Sequence, residues 1–188
     1  TFGQKSWERA ESRLHHDTVE LAVKKAGLSY ADLDCLLAGD LLNQCIGATF
    51  GVRDFGIPFY GLYGACATMG ESLALGSLLV AGGFAERLGA MTSSHFCTAE
   101  RQYRMPVPYG SQRTPTAQWT VTGAGAPIPD RGGSGPHVTP VTPGKNVDKG
   151  IQDANNMGAD IAPAAYDTIR PHPGDTGRRT YHHDPAVP

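Results

Sequence analysis

Phe59-Tyr60-Gly61-Leu62-Tyr63-Gly64-Ala65-Cys66-Ala67-Thr68-Met69-Gly70-Glu71-Ser72-Leu73-Ala74-Leu75-Gly76 reads as an aromatic strand, a tight glycine turn, and an apolar helix that opens on a cysteine. A helix N-terminus stabilises a thiolate, so several folds present a nucleophile on such a turn. A small apolar Cys filling a strand–helix corner has the same local pattern. The stretch alone leaves both readings open.

Working outward, Ile57 to Tyr63 is the strand, and Cys66 to Val80 is apolar on nearly all sides, which predicts a central, buried helix. Upstream, Glu8 to Ala26 has helical spacing, with Val19, Ala22, Val23 and Ala26 on one face and Gly27 as a C-terminal cap. His15 and His16 then fall on a surface helix. Ser29-Tyr30-Ala31-Asp32 resembles a capping box opening a short turn, and Cys35 to Ala38 is a buried strand. Asp40 to Phe50 reads as a helix and Arg87 to Ser93 as a strand. This β-α-β-α-β succession predicts an α/β sandwich with a largely parallel sheet. Right-handed crossovers bring Asp40, Cys66 and Ser93-Ser94-His95 to the strand ends where ligands collect.

Beyond these elements the chain changes character. Of the 14 prolines, only Pro58 precedes residue 106. Phe96 to Thr116 is polar and aromatic, too long for a connecting turn, and reads as a functional loop or a weak helix–loop excursion. Ala117 to Ala126 reads as a strand ending in glycines, with His137 to Val141 as an antiparallel partner. Asp153 to Arg170 is a helix weakened or kinked by Pro163, and nothing from Pro171 onward suggests structure.

At 188 residues with a net charge of −2, the chain has room for one ordinary core and no electrostatic case for nucleic acid. No apolar run approaches the roughly 20 residues of a membrane span. Cys35, Cys45, Cys66 and Cys97 lie far apart in apolar surroundings, which fits reduced thiols better than a disulfide framework. The start at Thr1 lacks both an initiator Met and a signal-peptide pattern, which suggests a processed or truncated chain. The histidines lack metal-ligand spacing, so neither metal nor cofactor is expected.

For chemistry, Cys66 is a thiolate nucleophile or the floor of a pocket, and acyl transfer would also need a His base and an oxyanion hole. His95 is the histidine at a strand end, with a structural hydrogen-bonding role as the alternative. Glu100, Arg101, Gln102, Arg104 and Arg113 either supply forked cations for a carboxylate ligand or form a solvated polar loop. Gly123 to Ala126 is no dinucleotide fingerprint, because no helix follows the strand.

Several blocks carry a family resemblance: Ala38 to Gln44, Gly56 to Cys66, Thr92 to His95, Thr98 to Gln102, Pro115 to Ala126 and Asp153 to Gly158. Together they resemble the stage V sporulation protein AD family, in the family's order, from Thr1 to about Gly177. The resemblance implies a thiolase-like layered α/β fold, with one of its two pseudo-repeated halves present. It places 1–143 in the N-terminal half, 144–170 at the start of the connection to the second half, and 171–188 in a disordered tail. It further implies an endospore-forming bacterium. There the family works with the other stage V sporulation A proteins to move dipicolinic acid into the forespore, as the dipicolinate-binding member. Cys66 falls at the nucleophile position of thiolases and ketoacyl synthases, although the family is regarded as a binding protein.

Two departures stand out. The second half, which in condensing enzymes carries the partners of the cysteine, is missing. Pro127-Ile128-Pro129-Asp130 also interrupts what should be a more apolar strand, and Arg170 to Pro188 drifts from the pattern. Without the second half, apolar surface should stand exposed and drive association or disorder.

The sequence reading is therefore a dipicolinate-binding sporulation protein, with a thiolase-type acyltransferase using Cys66 on an acyl-coenzyme A as the rival. Dipicolinate needs apolar walls, cations and N–H donors, which the reading assigns to Cys66, Tyr63, Ser94, His95, Phe96, Glu100, Arg101 and Arg104. The other stage V sporulation A proteins and a second copy of the chain are its expected partners. Its expected place is the cytoplasmic side of the inner forespore membrane, held there through partners.

Overall fold

The computed structural model describes residues 1–103, 120–132, 134–152 and 156–178. Two compact units divide at Gly135, each with its own contacts. The first is built on β1 (Cys35–Gly39), a strand of five wholly buried residues. β2 (Phe59–Gly61) and β3 (Leu88–Ser94) flank it in parallel, and β4 (Gly123–Gly125) runs antiparallel on the far side of β3. In the order β2-β1-β3-β4, the first three strands are the parallel part of the sheet that the apolar runs predict.

Side-chain alternation sorts the core into two layers. Leu36, Ala38 and Met91 face α1 (Trp7–Lys25) and α2 (Ile46–Val52), where they meet Val19, Val23, Ala48 and Val52. Cys35, Leu37, Leu88 and Ala90 face the other way, toward α3 (Thr68–Ala81) and its Val80. Helices therefore cover both faces, as a parallel sheet requires.

α1 starts where Ser6 accepts a hydrogen bond from the Arg9 N–H and ends with Lys24 and Lys25 against its C-terminal dipole. Its buried stripe is Glu11, His15, Val19 and Val23, every fourth residue. The sequence reading of His15 as a surface residue is corrected: its side chain is fully buried. The cause lies in α2, whose Gly47 and Gly51 let α1 approach closely. A Cβ on Gly51 would stand 2.7 Å from His15 Cβ, and one on Gly47 would stand 3.0 Å from Glu11 Cγ.

α3 also differs from expectation. It buries only the stripe Thr68, Ser72, Gly76 and Val80, while Leu75 and Leu78 on its outer side are exposed. A uniformly apolar sequence hides which face packs; here the small residues face the sheet. Cys66 lies ahead of α3, in a single 3-10 turn spanning Ala65–Ala67.

Downstream, α4 (Phe96–Tyr103) forms the helical part of the predicted excursion, and residues 104–119 lie outside the described residues. The expected interruption at Pro127 to Asp130 is milder than predicted. The Ala90 N–H donates to Pro127 O at 3.0 Å and the Leu88 N–H to Pro129 O at 3.2 Å. Proline accepts but cannot donate, so the pairing is thinned and not ended. Residues 137–141 form no strand; the partner of β4 is β3. In the second unit, α5 (Met157–Ile169) contains Pro163, and α6 (His172–Thr176) adds a short turn of helix where none is predicted.

Gly51 and Gly70 give opposite tests of this packing. Gly51→Ala should lower stability by about 1–3 kcal/mol, because the methyl meets His15 Cβ and the Ser12 carbonyl. Gly70→Ala, in α3 with nothing within 4 Å of the new methyl, should raise it by roughly 0.5–1 kcal/mol. Urea denaturation of the full-length protein measures both. Equal effects would show that the α1–α2 approach is not tight.

Candidate functional site

The C-terminal edge of the parallel strands gathers Asp40 after β1, Cys66 after β2, and Ser94-His95 after β3. Leu62 fixes the first turn. Its N–H donates to Ala38 O at 2.8 Å, and its carbonyl accepts from Cys45 Sγ at 2.8 Å. From there the chain turns through Ala65, whose φ of 48° lies in the left-handed region that costs an L-residue energy. The thiol of Cys66 is exposed on this elbow, and Tyr63 beside it is 53% exposed. No side chain caps the N-terminus of α3; the 3-10 turn runs into it, and the Thr68 N–H donates to Ala65 O. Glu71, in the first turn of α3, packs against Gly64 and contributes the negative charge on this side.

His95 is placed differently. It is 5% exposed, and its ring packs 5.6 Å from Trp7 and 6.2 Å from Phe2, at the start of the chain. Its Nδ1 accepts from the Cys97 N–H at 3.2 Å, which puts the ring proton of the neutral form on Nε2. Burial lowers its pKa, so it is neutral near pH 7. The rest of the predicted set follows His95 onto α4. The Phe96 N–H bonds Thr122 Oγ1 at 3.0 Å, Glu100 is buried and accepts from Thr120 Oγ1 at 3.1 Å, and Arg101 pairs with Glu8 of α1. Ser94 is half-buried at the end of β3, and Arg104 lies outside the described residues.

The structure thus brings Ser94, His95, Phe96, Glu100 and Arg101 together along β3 and α4, with Cys66 and Tyr63 on a separate turn. β1 stands between β2 and β3, so the two groups leave the sheet two strand spacings apart, roughly 10 Å.

Beneath the β3 end lies a buried polar cluster that charge patterning does not reveal. Glu11, His15, Asp40, Ser93 and Thr98 are each at most 3% exposed. Ser93 Oγ lies 3.0 Å from His15 Nδ1 and 3.1 Å from Glu11 Oε1, and Thr98 Oγ1 contacts Glu11 Oε2. Asp40 accepts from the N–H groups of Leu42 at 2.7 Å and Ala48 at 2.5 Å, capping α2. The signal that finds Glu11 and His15 is spacing: the stripe of Val19 and Val23, carried back two turns, passes through both.

With this geometry in view, the comparisons are specific. The family model of stage V sporulation protein AD matches residues 1–187. Stage V sporulation protein AD of Bacillus subtilis (strain 168) is 48% identical over 181 residues, covering 96% of this chain. The chain belongs to the stage V sporulation protein AD family. It spans 54% of that relative's length.

Among solved structures, this family member is similar to AbyA1, a tetronic acid condensing enzyme, with a TM-score of 0.59 at 16% identity. A second likeness is to 3-oxoacyl-(acyl carrier protein) synthase III of Pseudomonas aeruginosa PAO1, with a TM-score of 0.57 at 15% identity. Each likeness covers 89% of this chain and 58% or 56% of the other. At such identities the likeness concerns the fold, which is thiolase-like and α/β, with about half of the neighbours' length present. No helix among the described residues is long and apolar enough to cross a membrane.

His15 generates a pH test. Burial lowers its pKa from 6.5 to about 3. Below pH 6.5 the unfolded chain takes a proton at this residue that the folded chain refuses, so stability falls with pH from 6.5 toward 3. The slope from this one group approaches about 1.4 kcal/mol per pH unit. His15→Gln should flatten that limb in denaturation curves of the full-length protein; an unchanged slope would show that His15 is accessible to protons.

Proposed function

We propose that the chain supplies one side of a dipicolinate pocket and takes part in moving dipicolinic acid into the forespore. Membership in the stage V sporulation protein AD family supports this reading. The observation that carries it at the site is the Tyr63–Cys66 elbow, where an exposed phenol ring and thiol border an uncapped helix N-terminus. Dipicolinate is a planar aromatic dianion. An aromatic wall stacks against its ring, and N–H groups in the first turn of α3 donate to one carboxylate. Glu71 opposes an anion there, so cations from beyond the elbow complete the site. Arg101 and Arg104 are the candidates within this chain, and Ser94, His95, Phe96 and Glu100 form the neighbouring wall. In this reading the protein works with the other stage V sporulation A proteins. They hold it at the cytoplasmic side of the inner forespore membrane, and it pairs there with a second copy of itself.

Isothermal titration of the full-length protein with dipicolinate should give saturable binding. Tyr63→Ala should weaken it about tenfold, or 1.4 kcal/mol, and Glu71→Gln should strengthen it. Absence of binding heat across the titration would sink the proposal.

A second reading has its own observation: an exposed Cys66 on a strained turn after a strand, in a fold shared with condensing enzymes. In that reading the Cys66 thiolate attacks the carbonyl of an acyl-coenzyme A, the coenzyme A thioester bond breaks, coenzyme A leaves and takes up the proton that Cys66 gave up, and the acyl group stays on Cys66 as a thioester. Intact mass after incubation with acetyl-coenzyme A tests it. An adduct that disappears in Cys66→Ser would favour the transferase, and no adduct would leave the binding role.

A further inference from the structure

The cluster beneath the β3 end can be counted proton by proton. Four contacts run through it, besides the His95 N–H, which donates to Glu11 with a proton of its own. His15 Nδ1 meets Ser93 Oγ at 3.0 Å, and Ser93 Oγ meets Glu11 Oε1 at 3.1 Å. Thr98 Oγ1 meets both Glu11 Oε2 and, at 2.8 Å, the His95 carbonyl. Each full hydrogen bond needs its own proton. Ser93 and Thr98 bring one apiece, and the imidazole brings a third on Nδ1. Thr98 Oγ1 faces two acceptors, and the His95 carbonyl can only accept; with both contacts made in full, the Thr98 proton goes to the carbonyl. The Thr98 oxygen is then left to accept from Glu11, which an ionised carboxylate cannot do. The fourth proton belongs on Glu11 Oε2.

We infer that Glu11 is a neutral carboxylic acid in the folded protein, that Asp40 is the ionised member of the pair, and that this one buried proton latches α1 to the end of β3 and the first turn of α4. In this arrangement every hydroxyl both gives and receives. His15 donates to Ser93, Ser93 to Glu11, Glu11 to Thr98, and Thr98 to the His95 carbonyl.

The surroundings agree with that assignment. Asp40 takes N–H donors from Leu42, Gly47 and Ala48, a set that suits a charged carboxylate. A Cβ on Gly47 would lie 3.0 Å from Glu11 Cγ and 3.1 Å from Asp40 Cγ, so the two acids flank one glycine. The groups facing Glu11 are His15 from α1, Asp40 from β1, Gly47 from α2, Ser93 from β3, and Thr98 with the His95 backbone from α4. Glu8 and Arg101 pair with each other at the surface, and Cys45 senses Asp40. Among the described residues no Lys or Arg charge acts on either acid. Burial is the largest influence and raises both carboxyl pKa values; at Glu11 the bonds with Thr98, Ser93 and the His95 N–H hold the rise back and the Asp40 charge adds to it, and at Asp40 the three N–H donors hold it back.

Loss of the proton places a second negative charge beside Asp40 and leaves the Thr98 hydroxyl one proton for two acceptors. A folded pKa above the unfolded one means that the stability is present at low pH and is lost as pH rises through the folded value. The latch then loosens at α4, which carries Phe96, Glu100 and Arg101. This holds whichever ligand the neighbouring site takes.

Carbon NMR of the full-length protein labelled at glutamate side chains tests the inference without any substitution. At neutral pH the Glu11 carboxyl carbon should show the shift of a protonated acid, and it should move to the carboxylate shift as the solution is made alkaline. A carboxylate shift at neutral pH overturns the inference. Glu11→Gln, neutral and of the same shape, adds a second readout. It should remove the alkaline loss of stability seen in the wild type, and a variant that keeps that loss also overturns it.

Discussion

The crossing of Leu62 over Gly39 is the constraint from which the site edge of the sheet is built. A Cβ on Gly39 would overlap the Leu62 carbonyl and stand 2.8 Å from Thr68 Cγ2. Four elements converge on this point. β1 ends there, and the turn after β2 docks through the Leu62 N–H on Ala38 O. α3 begins with Thr68, and β3 reaches across through Thr92 Oγ1, 3.1 Å from Gly39 O. The elbow holding Cys66 is four residues beyond Leu62. Its left-handed Ala65 therefore depends on a crossing that only a residue without a side chain allows.

The opposite face obeys a second constraint of the same kind. Gly47 and Gly51 bring α2 close to α1, and that closeness seals Glu11 and His15 from water. Burying two acids and an imidazole is costlier than burying aliphatic side chains of similar volume. The cost is limited where each polar atom has a partner, and here the exception is His15 Nε2, which has none. What the cluster gains is specificity of position: a slip of α1 by one turn would break every bond that Glu11 and His15 make to Ser93 and Thr98. It holds the first turn of α4 where an apolar patch would let it slide.

The elements legible in the sequence are those whose burial is complete. Cys35 to Gly39 is apolar throughout because both faces are covered, and the stretch is read as a buried strand directly. α3 was legible as a helix but not in its sidedness. Its inward stripe is Thr68, Ser72, Gly76 and Val80, while its outer face carries Leu75 and Leu78. Hydrophobicity points the wrong way when close packing selects small residues. Glu11 and His15 escaped notice for a related reason: charge on a helix is normally solvated, and only the four-residue spacing contradicts that. Cys66 was legible from the strand–turn–helix pattern. The surroundings of His95 were not, because they depend on Trp7 and Phe2, almost ninety residues away.

The outer face of α3 joins two facts that otherwise stand apart. Glu71, Leu75 and Leu78 follow helical spacing along one side, so the exposed apolar stripe runs up to the Glu71 carboxylate beside Gly64. His95, the histidine in reach of the same sheet edge, is held against Trp7 across the width of β1. Within the described residues, then, Cys66 lies exposed on the turn ahead of α3, three residues after the exposed Tyr63, with the histidine engaged elsewhere.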